Sequence, residues 1–149
     1  VGGTGRLPMR ELAALCEAAG FAAVRTYLAS GNAIFAAPLA AAAVRDRLAE
    51  RLAAHTGAPI GVTVRTAAEL AGVVAANPFP DAVPTRTVAI FLDEPPPFDA
   101  LDHARHLGRA RLALGAREIY VAHDGGIGAS RLVIPAARTG TARNLDTVA

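Results

Sequence analysis

A glycine-rich segment in the second half of the chain combines residue types that bind small anions. Gly126 and Gly128 allow close approach of the backbone to a ligand, and they stand shortly before Ser130 and Arg131. Ser130 is placed to cap a following helix, and Arg131 is placed to pair with an anion there. The segment therefore predicts an anion site, and an ordinary loop with a helix cap is the alternative interpretation.

A second glycine segment lies at the start of the chain, before the first predicted helix. Gly2 and Gly3 are candidate ligand-binding residues, because amides at a helix N-terminus can receive a phosphate or a carboxylate. The segment lacks the lysine and hydroxyl pair of a P-loop, and its spacing differs from the dinucleotide-binding fingerprint. A flexible connector is the alternative.

The turn between two predicted strands carries Ser30, Gly31 and Asn32. These residues can place a hydroxyl, a backbone amide and a carboxamide around one polar ligand, although all three are also ordinary turn formers. Arg25 and Tyr27 share a face of the preceding strand, since side chains two apart point the same way. If that face is open, it forms a platform for an anion or for base stacking.

The other reactive residues form no catalytic or metal motif. The four histidines are scattered, and no cysteine pair or His-Glu-X-X-His pattern is present. His123 and Asp124 precede Ser130, but Ser130 lacks the elbow of small residues that presents a catalytic serine. Cys16 lies on the apolar face of a predicted helix, which indicates a buried, inert thiol. We expect no catalytic residue, no metal and no cofactor, and leave open whether the protein is an enzyme.

Composition limits the partners and the compartment. The 149 residues include 15 basic side chains, all arginine, against 13 acidic ones. Basic and acidic residues alternate along the chain, which is typical of a solvated helix face and does not support nucleic-acid binding. No apolar run approaches the roughly 18 residues of a membrane span. One cysteine and no secretion signal favour the cytoplasm.

Hydrophobic spacing predicts helix, hairpin, helix and strand in the first half, and strand, helix, hairpin and helix in the second. Thr66 and Glu69 form a capping box that opens one more helix. The proline-containing segment 77–84 is the predicted linker, so we expect domains at 1–76 and 77–149. The predicted elements are 7–19, 24–29, 33–36, 38–54, 60–65, 87–92, 98–107, 111–114, 118–122 and a final helical stretch broken by Pro135.

The two halves align if a strand precedes residue 7. Each half then has the split β-α-β pattern of the ferredoxin-like topology, in which the first strand is central in the sheet. The predicted fold class is therefore α+β, with two tandem ferredoxin-like (α-β plait) units, of which the first lacks its N-terminal strand.

Several separated motifs, in order along the whole chain, resemble the bacterial family catalogued as domain of unknown function 1697. They are Val1-Gly2-Gly3, Pro8-Met9, Gly20-Phe21, residues 24–32, Asn77-Pro78-Phe79, Arg117-Glu118-Ile119-Tyr120, residues 126–132, Arg143-Asn144 and Thr147-Val148. The resemblance implies two ferredoxin-like units and no particular activity. Family members usually carry an apolar strand before the two glycines, so the chain resembles a member clipped at both ends.

Three functions remain as hypotheses. The favoured one is a non-enzymatic module that binds a small anionic ligand, such as a nucleotide or a phosphate, where the glycine loops meet Arg25 or Arg131. The second is single-stranded nucleic-acid binding on an open sheet face, which the fold permits but which only seven aromatic residues support. The third is a structural or interaction domain with an unpaired strand edge. The oligomeric state is left open.

Overall fold

Two units make up the computed structural model, which describes residues 7–125 and 130–149. They are Val1–Val64 and Arg65–Ala149. This division precedes the predicted one at residue 77, because the helix Ala67–Ala75 packs into the second unit. Its Val73 lies in one core cluster with Phe91 and Tyr120.

The first unit places two helices against a hairpin. Its elements are α1 (Met9–Ala18), β1 (Ala22–Tyr27), β2 (Asn32–Ala36) and α2 (Ala41–Thr56). The helices bury the apolar stripes that their spacing predicted, and Gly57, at φ 77°, ends α2 in a left-handed conformation. The fully or nearly buried residues of these stripes are Leu12, Cys16, Val44, Leu48 and Leu52.

The two strands of the first unit form an antiparallel hairpin with one half-buried and one exposed face. Val24 and Phe35 face the core, where Phe35 stacks on Phe21 with ring centroids 4.4 Å apart. The predicted strand at 60–65 carries no regular secondary structure. Its side chains nevertheless alternate as predicted, because Ile60, Val62 and Val64 all pack on this core.

The second unit is built on a four-stranded antiparallel sheet. Its elements are α3 (Ala67–Ala75), β3 (Thr87–Phe91), β4 (Arg111–Leu114), β5 (Glu118–Ala122), β6 (Thr141–Asn144) and α4 (Leu145–Val148). The strand order across the sheet is β4-β5-β3-β6. The central strands β3 and β5 are apolar on both faces, as the continuous apolar run of β3 predicted.

Different segments cover the two faces of this sheet. Ala89, Phe91 and Tyr120 pack with residues of α3 and α4 on one face. Val88 and Val121 pack on the other face with the two crossover segments, which we define as residues 98–107 and 130–138. Both faces of the sheet thus carry a core.

Neither crossover segment forms the predicted α-helix. Residues 98–104 form successive turns, in which Phe98 is 94% exposed while Ala100 is buried and Leu101 packs on the sheet. In the other segment, only Pro135–Ala137 forms a short 3-10 helix. The two segments instead pair with each other, because Arg105 and Val133 exchange backbone hydrogen bonds of 2.8 and 2.9 Å.

Polar contacts tie α3 to the sheet. The predicted capping box is present: the Thr66 hydroxyl accepts from the Glu69 amide at 3.1 Å, and the Glu69 carboxylate accepts from the Thr66 amide at 2.7 Å. The same carboxylate pairs with Arg117 at 2.8 Å. Near the other end of α3, the buried Tyr120 hydroxyl donates to the Val73 carbonyl at 2.8 Å. Burial and the nearby charge of Glu118 raise the pKa of Tyr120 to about 12, so the phenol keeps this proton across the physiological range.

We expect Tyr120→Phe to lower the free energy of unfolding by about 1–2 kcal/mol, because it leaves a buried carbonyl without its side-chain donor. Tyr27→Phe is the matched control, since Tyr27 is 48% exposed and its hydroxyl bonds to no described residue. Urea titrations of the two variants and the parent chain measure the difference. Equal losses in both variants would show that the Tyr120 hydroxyl does not stabilise α3 against the sheet.

Candidate functional site

The second unit contains an open groove of about 720 Å³ on the sheet face that the crossover segments cover. Its floor is formed by Val88 and Ile90 of β3, Val121 of β5 and Ala142 of β6. These residues share one face because side chains in a strand alternate with a period of two. The volume falls within the range of about 300–1,000 Å³ that is typical of small-molecule sites.

The walls of the groove come from the two crossover segments. Arg105 stands on one segment and is paired through its backbone with Val133 on the other. This bridge holds the 130–138 segment along the groove, where Pro135 then turns it into the short 3-10 helix. The apolar wall residues are Leu132, Val133, Ile134, Pro135 and Ala137.

The polar lining of the groove is cationic or neutral throughout. It consists of Arg105, Arg138, His123, Ser130 and Asn144, and no aspartate or glutamate is among the described residues that line the groove. Two unit positive charges therefore border an apolar cavity, and Asp102 lies with Arg105 at a smaller adjoining pocket. An anion entering this groove meets the attraction of both guanidinium groups.

Arg105 and Arg138 differ from the paired arginines of the second unit. Arg111 is bonded to Asp81 at 3.0 Å, and Arg117 to Glu69 at 2.8 Å. By contrast, within residues 7–125 and 130–149 the guanidinium groups of Arg105 and Arg138 make no hydrogen bond or ion pair. Their planar sets of N–H donors match the geometry of carboxylate and phosphate oxygens.

His123 enters the groove from the end of β5. It stands two residues after Val121, so it lies on the same side of the sheet, and its backbone amide donates to the Arg86 carbonyl at 2.9 Å. Desolvation by burial lowers the pKa of His123 below its ordinary value. The imidazole is therefore neutral at pH 7, with one ring nitrogen as donor and the other as acceptor.

The two predicted residues at 130 and 131 have different positions. Ser130 lines the groove, but it does not cap a helix, because the segment after it is not helical; its hydroxyl accepts from the Leu132 amide at 3.3 Å. Arg131 is exposed and does not line the groove. The other predicted residues of the glycine segments, Gly2, Gly3, Gly126 and Gly128, lie outside the described residues.

Arg25, Ser30 and Asn32 belong to the first unit, at the hairpin. The Asn32 amide donates to the Tyr27 carbonyl at 2.9 Å and to the Ser30 hydroxyl at 3.0 Å, which is the turn chemistry weighed as the alternative. Arg25 and Tyr27 are both exposed, so the face that their spacing predicts them to share is the open one. Ile34, directly opposite Arg25, is 48% exposed, so the outer face of the hairpin has mixed character.

The remaining cysteine, histidine and carboxylate groups of the described residues do not gather into a second candidate site. Burial and the charge of Glu17 raise the pKa of the Cys16 thiol to about 11, which keeps it protonated and unreactive. In the described part of the chain, histidine, cysteine and carboxylate side chains nowhere gather in groups of three that could hold a metal. None of the described helices is long and apolar enough to cross a bilayer.

The glycine motifs did not identify the groove arginines. Arg105 and Arg138 stand in segments where helices were expected. Both line the groove because the backbone pairing of Arg105 with Val133 joins the two segments. The sequence pattern could have identified His123, because it follows Val121 by two residues and so continues the buried face of β5. Asn144 lies on β6, a short strand that was not predicted.

Comparison with known proteins bears on the fold and the family. The chain resembles the solved structure of the conserved bacterial protein SP0830 from Streptococcus pneumoniae, with a TM-score of 0.77 and 20% sequence identity. The match covers 98% of this chain and 87% of that one. No curated protein sequence is significantly similar to this chain. The family model described as "Protein of unknown function (DUF1697)" matches residues 1–120, and the chain therefore belongs to that family.

Proposed function

We propose that the protein binds a small anionic ligand in the groove of its second unit. The observation that carries this proposal is the charge of the lining: Arg105 and Arg138 border the groove, and none of the other described lining residues is an aspartate or a glutamate. His123, Ser130 and Asn144 add neutral hydrogen-bonding groups that can orient the ligand. The proposed ligand belongs to the class predicted from the sequence. The attraction for the anion comes from charged side chains rather than from helix N-termini.

The geometry supports binding rather than catalysis. Ser130 accepts a bond from a backbone amide, and neither His123 nor another base is bonded to its hydroxyl among the described residues. A nucleophilic serine needs such a base within hydrogen-bond reach. The groove thus has the parts of a ligand site without an activated nucleophile.

We also propose that both units are ferredoxin-like. With its strands numbered 1 to 4 along the chain, the second sheet has the order 2-3-1-4, which places the first strand in the centre as that topology requires. In the first unit, the order α1, hairpin, α2 and an alternating segment at 60–64 supports the same assignment. On this assignment, the two crossover segments of the second unit take the positions of the two helices of a ferredoxin-like fold, although they form turns instead of α-helices.

The nucleic-acid alternative now concerns the hairpin alone. Both faces of the four-stranded sheet carry core residues, so among the described strands the exposed aromatic side chain for base stacking is Tyr27, beside Arg25. Binding of single-stranded nucleic acid with a steep salt dependence would favour that alternative. The cytoplasm stays the proposed compartment, since the one cysteine is a buried free thiol.

We expect the parent protein to bind at least one probe from a panel of inorganic phosphate, nucleoside monophosphates, sugar phosphates and octanoate, measured as a thermal shift. Arg105→Gln and Arg138→Gln should each raise Kd roughly ten- to hundredfold, because each removes a charge-assisted hydrogen bond. Arg131→Gln makes the same charge change on an exposed residue outside the groove and should have little effect. A panel without any shift, or equal effects of all three variants, would contradict the proposal.

The bound anion should raise the pKa of His123, because it stabilises the imidazolium that burial disfavours. Arg105 and Arg138 line the same groove, and Asp124, next along the chain, pairs with Arg109 at 3.4 Å. NMR titration of the imidazole signals with and without the tightest-binding probe measures this change. Arg105→Gln, which weakens anion binding, is the control and should show a smaller change of the His123 signal at the same probe concentration. A pKa of His123 that stays unchanged at saturation would place the anion elsewhere.

A further inference from the structure

We propose that the ligand of this groove is an amphipathic organic anion, in which one carboxylate or phosphate monoester is joined to an apolar body of several carbon atoms. The inference rests on the anion binding proposed above and specifies the chemical class of the anion. It follows from the apolar part of the lining, which the charge argument does not use.

The groove presents two chemically different surfaces. Arg105 and Arg138 supply the positive charge. Along the sheet and the 130–138 segment the lining is aliphatic, and part of it is open to solvent: Val133 is 40% exposed and Ala142 is exposed, while Ile90 is half-buried. A ligand must contact both surfaces to use the whole groove.

Simpler ligands leave one surface unused. Inorganic phosphate can pair with the arginines, but it leaves the apolar surface of Val133 and Ala142 in water, where it gains nothing from hydrophobic contact. A neutral hydrocarbon covers that surface and leaves both guanidinium groups without an acceptor. An anion with an apolar body satisfies both, because each surface meets a group of its own character.

The size of the groove agrees with this class. At about 720 Å³, it exceeds the space that one water-sized or phosphate-sized group occupies, and it lies in the range of sites for small organic molecules. The described lining also contains no aspartate or glutamate, so it offers no carboxylate to pair with a cationic group on the ligand.

A chain-length series on the unaltered protein tests the inference. Binding of acetate, butanoate, hexanoate and octanoate is measured by calorimetry beside hexyl phosphate, inorganic phosphate and 1-hexanol. We expect Kd to fall about fourfold for each added methylene that becomes buried, until the groove is filled. Hexanoate and hexyl phosphate should both bind more tightly than 1-hexanol, and their order identifies the preferred head group.

The outcomes separate this inference from the proposed function. If phosphate or acetate binds as tightly as octanoate, the amphipathic class is wrong while anion binding stands. If no charged probe binds, the proposed function fails and the inference fails with it. If 1-hexanol binds as tightly as hexanoate, the apolar surface binds ligands without help from the arginines, which contradicts both.

A matched pair of variants locates the apolar body. Val133→Ser removes an exposed apolar side chain from the groove, whereas Leu114→Ser removes one of similar exposure, 36%, from an edge strand outside it. Val133→Ser should raise the Kd of octanoate several-fold and leave that of the shortest binding carboxylate unchanged. Leu114→Ser should change neither. Equal losses for long and short ligands in Val133→Ser would overturn the placement of the apolar body on this surface.

Discussion

The backbone pairing between Arg105 and Val133 decides the shape of the candidate site. Its two hydrogen bonds join two segments that both cross the same face of the sheet. Since each residue bonds to the other segment, neither segment completes the intrahelical hydrogen bonds of an α-helix at that point. The crossover segments bury Val88 and Val121, but they leave Ile90 half-buried and Ala142 exposed. An open groove remains over this part of the sheet, with Arg105 on its wall.

The opposite face of the sheet shows what a sealed surface requires. There the capped helix α3 and the short α4 cover Ala89, Phe91 and Tyr120, and the Tyr120 hydroxyl bonds to the Val73 carbonyl. The N-terminus of α3 is fixed by the contacts among Thr66, Glu69 and Arg117. The buried Tyr120 hydroxyl on this face therefore has the hydrogen-bond partner that a buried polar group requires. The two faces therefore differ in role: one is sealed by helices, and the other is covered by crossovers that leave room for a ligand.

Much of the local structure could be predicted because it depends on local chemistry. The strands β4 and β5 have the predicted bounds, and the capping box at Thr66 is present, since turn residues and hydrophobic alternation act over a few positions. The crossovers could not be predicted in this way. Their conformation depends on the pairing of Arg105 with a residue 28 positions away, and local spacing around Arg105 contains no sign of it. The strand β6 is short and polar, and it is a strand because β3 offers an open edge beside it.

The distinction between the structural arginines and the arginines proposed to bind a ligand likewise depends on tertiary contacts. All 15 basic residues are of one type, so residue type alone cannot separate them. Arg65 is half-buried and donates to the carbonyl groups of Leu92 and Arg117, so its guanidinium group has a structural role. Arg105 and Arg138 are exposed, and water can solvate their charge when the groove is empty. The groove therefore adds little desolvation penalty to the free energy of folding, because neither guanidinium charge is buried in the absence of a ligand. An anion must displace that water, so Coulomb attraction in the open groove is partly screened and contact with the apolar lining has to supply the rest of the affinity.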